Sequence, residues 1–410
     1  MDKRPEKLTD QDNLIALQMN MKQKTRLLDI LTILFLMLIL YGFAAAMIIL
    51  PDNTFSEQEN RYLQQAPKLT LERLIGGKFT SEIGDYYSDQ FPIRDIFVGA
   101  KAITEIAALK MENNKVILGK DGYIIKRDDY PEMLMVERNL ISVTAFSGTM
   151  KELKVPYAIA MAGRNVDVLE KYLPALFPYE RTLHLWNYFE ETMASDGYIQ
   201  YIDLKSPLKA TVESSNEQLY YKADHHWTTL GAYYGYAEIM KAFDVEPQPL
   251  SAFTIEQASD SFYGTTWSSA GMKWIKPDTI YFFRYDGDEN YITDIRDKNL
   301  QMDGFYDYSY LSVKDKYSSF IGGNNARVDI YLNDGIKRER LLLIKDSFAH
   351  SVAPFLAYHY DLVIIDLRYF KTSIKDLVIN ENIDRVLILN NINSITEVNV
   401  FGILSLGLNK

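Results

Sequence analysis

The stretch "ILTILFLMLILYGFAAAMIIL", residues 30–50, runs 21 positions without a charged side chain. As a helix at 1.5 Å per residue it reaches across the roughly 30 Å hydrocarbon core of a bilayer. None of its faces is polar, which argues against the half-buried helix of a water-soluble core. Lys22, Lys24 and Arg26 precede it, and the turn-forming, acidic "PDNTFSEQENRY" follows. Basic residues hold their flank on the cytoplasmic side. Residues 1–29 are therefore expected to form a cytoplasmic tail, 30–50 a transmembrane anchor, and everything after Pro51 an extracytoplasmic part. Ala44-Ala45-Ala46 resembles a cleavage site, so a removed signal peptide is the alternative. The apolar run exceeds the roughly 7–15 residues of such leaders, which favours an uncleaved single-pass anchor in the cell membrane.

Composition decides what the rest can do. At 47% hydrophobic and 24% charged, the 410-residue chain has room for a sizeable globular core. Residues 1–26 carry six Lys/Arg and four Asp/Glu, so the remainder stands near −13 against −11 for the whole chain. A domain that acidic repels phosphate backbones, and nucleic acid is excluded as an expected partner. The absence of cysteine rules out thiol catalysis and cysteine-ligated metals.

Residues 51–130 read as a connector, a helix with apolar spacing over 94–111, and the hairpin "VILGKDGYII" around Lys120-Asp121-Gly122. From 131 to 395 helical patterns alternate with continuous apolar runs: "VPYAIAMA", "YIQYIDL", "RLLLIKDSF", "DLVIIDLR" and "DRVLILNN". Such runs are those of strands buried on both faces. Their alternation with helices predicts an α/β fold with a doubly wound, mostly parallel sheet. Residues 250–335, rich in Asp, Gly, Ser, Tyr and Phe, break the pattern as a β-rich insertion, ending in a hairpin turned by Asn333-Asp334-Gly335. Residues 396–410 are left as a C-terminal tail.

In open α/β sheets reactive groups gather beyond the carboxyl ends of the strands. Ser347 follows the apolar run ending at Ile344 and opens a predicted helix, so its hydroxyl is exposed there and its backbone N–H is a donor for an oxyanion. A plain N-cap serine is the bland alternative. Far upstream, "YKADHHWTTLGAYYGY" holds Asp224 and His226 two apart on a loop before a helix capped by Thr228 or Thr229. Both can project into one site, as a carboxylate that orients an imidazole and a base that takes the serine proton. His225 between them is expected to point elsewhere. His350 lies one turn past Ser347 as a candidate site-lining group, while His184 and His359 are expected to be structural. Adjacent histidines without HExxH or a further His cluster are a poor start for zinc, so no metal and no cofactor are expected.

At these residues the chain resembles the DHHW protein family of bacteria, related to the SGNH-hydrolase-like domains of the alginate O-acetylation machinery. "ADHHWTTLGAYYGY" and "KDSFAHSVAPFLAYHYDLVIIDLRYF" carry the likeness, and "FSEQENRYL", "YYSDQFPIRD" and "VILGKDGYI" extend it over roughly residues 52–395. The resemblance implies Ser347 as nucleophile, His226 as base and Asp224 as orienter, with Trp227 behind them, in an order permuted relative to ordinary SGNH hydrolases. It implies an O-acyltransferase moving acyl groups, typically acetyl, onto a cell-surface or exported polysaccharide, with a membrane-bound O-acyltransferase as donor partner. A carbohydrate esterase, or an inactive glycan-binding or assembly protein of an acetylation system, is the alternative. Two departures stand out. Lys345 occupies the place of the glycine that usually precedes Asp-Ser. The usual Gly-x-Asn-Asp block has no clean counterpart, leaving Asn390 or Asn391 as the candidate oxyanion amide. Trp267, Trp274 and Tyr263 are candidate sugar-stacking rings, with ordinary core packing as the other reading.

Overall fold

A computed structural model describes residues 10–407 apart from 57, 60, 129, 176, 178, 179 and 399. Residues 1–9 of the expected cytoplasmic tail and 408–410 of the C-terminal tail thus lie outside the described residues. The chain divides into two compact units, Met1–Val98 and Gly99–Lys410.

In the first unit Asp10–Ile49 is one continuous helix, and Leu17–Ile49 within it is long and apolar enough to cross a membrane. Thr25 and Thr32 return their hydroxyls to the carbonyls of Met21 and Leu28, so neither is left unpaired. Beyond it the helix Lys78–Asp89 ends on a buried carboxylate. Asp89 takes both arms of Arg61 at 2.6 and 2.8 Å and the backbone N–H of Gln64 at 2.8 Å.

The second unit is built on an eight-stranded mixed sheet. In chain order its strands are β1 (Tyr157–Ala162), β2 (Gln200–Asp203), β3 (Tyr291–Ile295), β4 (Leu300–Asp303), β5 (Arg327–Leu332), β6 (Arg340–Lys345), β7 (Asp361–Asp366) and β8 (Arg385–Asn391). Their spatial order is β4-β3-β5-β7-β6-β8-β1-β2. The five strands β7, β6, β8, β1 and β2 run parallel. The other pairings, β7 with β5, β5 with β3 and β3 with β4, are antiparallel.

The uninterrupted apolar runs follow from burial on both faces. Leu341 and Leu343 of β6 join one core cluster with residues of the helices Lys205–Ser214 and Thr229–Ala242. Leu342 and Ile344 join the other, with residues of the helices Met133–Leu153, Glu180–Ser195 and Ile374–Asn380. Each side chain of these strands is packed, which is why period-two alternation is missing from their sequence. Thr228 caps the helix Thr229–Ala242 by accepting from Gly231 N–H at 3.2 Å, as its position before the apolar pattern predicts.

Residues 250–335 do more than fold on themselves. Thr254–Phe262 and Asp278–Arg284 form an antiparallel ribbon, while β3, β4 and β5 extend the main sheet. No hairpin forms at Asn333-Asp334-Gly335. β7 lies between β5 and β6 in the sheet, so the two strands flanking that turn are not neighbours. The hairpin at 116–125 does form, pairing Val116–Leu118 with Ile124–Lys126, and Glu112–Asn113 adds a third strand. The helix that Ser347 is expected to open is broken: a 3₁₀ turn, Ser347–Ser351, gives way to the short helix Ala353–Ala357. Pro354 has no N–H to continue the earlier turn and starts the new one instead.

Candidate active site

β6 delivers Ser347 to the carboxyl edge of the parallel strands. Asp346 pins the turn there, one oxygen accepting from Phe348 N–H at 2.9 Å and the other from Asn391 N–H at the end of β8 at 2.7 Å. The loop bearing Asp224 and His226 is closed by its own backbone. Tyr220 and Trp227 bridge across it, and Tyr221 N–H donates to the His226 carbonyl at 3.1 Å. The fully buried Trp227 then bolts loop to turn, its indole N–H donating to the Phe348 carbonyl (2.9 Å) and to Ser351 Oγ (3.1 Å).

With the two pieces joined, His226 Nε2 stands 2.7 Å from Ser347 Oγ, and His226 Nδ1 stands 2.5 Å from Asp224 Oδ1. The second oxygen of Asp224 accepts from Thr265 N–H at 2.7 Å and from the Thr265 hydroxyl at 3.1 Å. With Nδ1 protonated toward the carboxylate, Nε2 is free to accept the serine proton. Tyr317 lies flat on the imidazole, ring centres 4.0 Å apart and 13° from parallel.

The electrostatics fit that tautomer. Burial, with the neighbouring His225 imidazole, holds His226 down at about 4 against the pull of Asp224, so the ring is neutral at pH 7. Asp224 is buried, which opposes its charge, yet the two imidazoles and their hydrogen bonds keep it well below the usual carboxylate range. His225 is not turned away from the site. It packs against His226, ring centres 3.8 Å apart and tilted by 38°, shares a 2.7 Å hydrogen bond with Thr265 Oγ1, and lines two clefts together with Phe348. Burial works against its charge, and Asp224 outweighs that and raises it.

The other candidates have separate roles. The Asn391 amide donates to the carbonyls of Ala162 and Gly163, at 3.2 and 3.3 Å. Oriented to satisfy both its ends, the Asn390 amide donates to Ile344 and Leu389 carbonyls at 3.2 Å. Both amides are thus spent on backbone carbonyls at the ends of the central strands. His350 is buried with Nε2 2.6 Å from Lys345 Nζ, while Lys345 also meets Asp366 at 3.3 Å. This lysine, in the place of the usual glycine, sits under the turn, pushed down by burial to about 8. Trp267 packs against Tyr263 at 4.5 Å and under the Lys314 ammonium. Asp224, His225 and His226 hold ligand-capable atoms within 4.8 Å of one another. Three of their four ring nitrogens are engaged by Asp224, Thr265 and Ser347.

Gly264, Thr265 and Tyr317 were not singled out by sequence. A Cβ on Gly264 would stand 2.2 Å from Asp224 Oδ2, so only glycine lets the helix Thr265–Ala270 start against that carboxylate. Their signal in the sequence is slight, no more than the dipeptide Gly264-Thr265. A cleft of about 160 Å³ opens over Ser347, lined among others by Arg368, Lys126 and Asn393.

Comparison with known proteins gives the following matches. The family model "DHHW protein" matches residues 208–366, and "SGNH hydrolase-like domain, acetyltransferase AlgX" matches residues 116–280. A "Probable alginate O-acetylase AlgJ" of Pseudomonas fluorescens is 23% identical over 163 residues, 39% of this chain and 41% of that protein. Its counterpart in Pseudomonas syringae pv. tomato matches to the same extent. The chain thus spans about two-fifths of the length of these curated relatives. Among solved structures, a DHHW family protein from Eubacterium siraeum superposes with a TM-score of 0.58 at 20% identity, over 72% of this chain and 96% of that one. Bacillus cereus PatB1 with a sulfonyl adduct gives 0.59 at 20% identity, over 71% and 99%. The chain is thus similar in sequence to the DHHW proteins and to the SGNH-hydrolase-like domains over those residues, and it shares the fold of the Eubacterium siraeum DHHW family protein and of PatB1.

Proposed function

We propose that this DHHW relative is a membrane-anchored, extracytoplasmic O-acyltransferase that moves an acyl group, typically acetyl, onto hydroxyls of a cell-surface or exported polysaccharide. One observation carries the reading: the unbroken line from Asp224 through His226 to Ser347, at 2.5 and 2.7 Å. Ser347 Oγ attacks the acyl carbonyl as His226 Nε2 takes its proton, and Asp224 stabilises the imidazolium. The imidazolium returns that proton to the leaving oxygen, which leaves an acyl-serine. A sugar hydroxyl, deprotonated by the same nitrogen, then takes the acyl group. Water in its place would make the protein a carbohydrate esterase.

With both candidate asparagine amides committed to carbonyls, the Ser347 backbone N–H is the oxyanion donor in this reading. The acid and base precede the serine, a permuted SGNH order on a doubly wound frame. The names of the AlgJ and AlgX relatives support acetyl transfer and a polysaccharide acceptor. The N-terminal apolar helix, with basic residues before it, supports a bilayer anchor with the second unit outside. A membrane-bound O-acyltransferase is the donor partner in this scheme, and no cofactor enters it. The test is mass spectrometry after brief exposure to p-nitrophenyl acetate, reading for one acetyl group on Ser347. An acetyl elsewhere, or turnover that survives Ser347→Ala, refutes the assignment.

A further inference from the structure

A second cavity in the Gly99–Lys410 unit holds about 930 Å³, against about 160 Å³ over Ser347. That volume is at the upper end for ligand sites of roughly 300–1,000 Å³. Ser347 and His226 are absent from its lining. Its mouth carries three large side chains that stay in water: Trp274 at 44% exposure, Tyr281 at 40% and Ile255 at 54%.

These rings are held out by rigid supports. Ile275 and Met272, on either side of Trp274, are buried in a cluster with Ala102, Val116 and Ile124, and Ile275 N–H closes the turn on the Met272 carbonyl at 3.2 Å. Trp274 is left facing outward from a fixed turn. Tyr281 stands on the ribbon strand Asp278–Arg284, its carbonyl accepting from Thr229 Oγ1 at 2.5 Å. The rest of the wall is mixed: Leu118, Leu230, Leu250 and Phe283 are apolar, while Glu217, Lys222 and Lys276 line the same space. An aliphatic tail would use only the apolar part of that lining. A pyranose uses both parts, because its C–H face stacks on an aromatic ring while its edge hydroxyls meet charged and amide groups.

We infer that this cleft is a docking subsite for a glycan chain, separate from the acyl-transfer centre, with Trp274 and Tyr281 as stacking platforms; the choice of glycan rests on the function proposed above. The cleft backs onto the triad loop. Tyr221, in its wall, meets Tyr317 edge-on at 6.4 Å, and Tyr317 is the ring stacked on His226. A polymer gripped here is held against the element that presents the base, whereas the cleft over Ser347 takes a single acyl-bearing group.

The test uses the full chain in lipid nanodiscs, titrated with cellohexaose and with chitohexaose by calorimetry. At least one should bind. Trp274→Leu, which keeps apolar bulk and removes the flat face, should weaken that binding about tenfold, and Trp274→Phe should recover part of it. Ser347→Ala should bind as the wild type does. Melting curves check folding, which exchange of an exposed ring should leave unchanged. Failure of both oligosaccharides to bind the wild type, or equal binding by Trp274→Leu, overturns the proposal. So does tight binding of dodecanoate that survives Trp274→Leu, which would make the cleft a pocket for an apolar tail. Missing oligosaccharide binding beside normal acyl-Ser347 formation sinks only this subsite. Intact binding without acyl-Ser347 sinks the acyltransferase reading and leaves the subsite standing.

Discussion

His226 makes contacts on every side: Asp224 at one nitrogen, Ser347 at the other, Tyr317 across one face and His225 against the ring. If the three groups act as a unit, as proposed, Ser347→Ala and His226→Ala should each lower the rate of acetyl-ester hydrolysis by about 10⁴-fold or more, and the double variant should lose little beyond that. Asp224→Asn should retain more activity than either, since nucleophile and base remain. Initial rates of the four variants decide this, and additive losses would contradict it. The acid limb follows from charge. His226 must be neutral to accept a proton, and its value is depressed to about 4. Activity should therefore persist as pH falls below 6 and disappear only near 4–5, the region set by that depressed value rather than by an ordinary histidine near 6.5. The profile belongs in an Asp346→Asn background too, because burial pushes that carboxyl up to about 6 and it titrates beside the serine. A limb centred near 6.5 in both proteins would show that burial does not control the base.

At the scale of elements, Gly264 brings the start of the helix Thr265–Ala270 against Asp224, the acid of the proposed triad. Gly264→Ala inserts a carbon 2.2 Å from Asp224 Oδ2, so the carboxylate or the helix must move. Overpacking of this kind costs about 1–3 kcal/mol, and a melting temperature lower by several degrees is expected. Activity should drop at least as far as in Asp224→Asn. A fully active, equally stable Gly264→Ala would contradict the geometry. This contact also marks where the sequence stops being readable. The central strands were legible because Leu341–Ile344 and Val386–Leu389 are apolar without interruption, and only a strand buried on both faces asks for that. Asp224 and His226 were legible because their spacing is local. Thr265 meets Asp224 across 41 positions, and Tyr317 reaches His226 from still farther, with no charge or period to announce either. The turn at Asn333-Asp334-Gly335 misled for a related reason: turn chemistry is local, whereas β7 slipping between β5 and β6 is decided by the whole sheet.

For the whole molecule, the order of charge around the apolar helix predicts topology. Protease added to intact cells should digest the chain beyond Pro51, and protection of that region with an accessible N-terminus would overturn the orientation. Stability should carry the mark of Lys345, fully buried beneath the serine turn. Its value is pushed down by burial to about 8, against 10.5 for a free lysine. Between those values the unfolded chain binds the extra proton, so this lysine's contribution to stability rises with pH from about 8 toward 10.5, by a sum on the order of 3 kcal/mol. Below pH 8 that contribution is flat. The melting temperature of the wild type relative to Lys345→Met should therefore climb across that interval, and a constant difference would refute the buried charge cost. The bond between His226 and Ser347 joins positions 121 residues apart, and Trp227 spans the same gap. Closing a loop of that size is expected late in folding, once the strands that carry it have found their neighbours. A chain threaded outward through a membrane unfolded would therefore travel without an assembled nucleophile, and would become reactive only on arrival, when its sheet is complete.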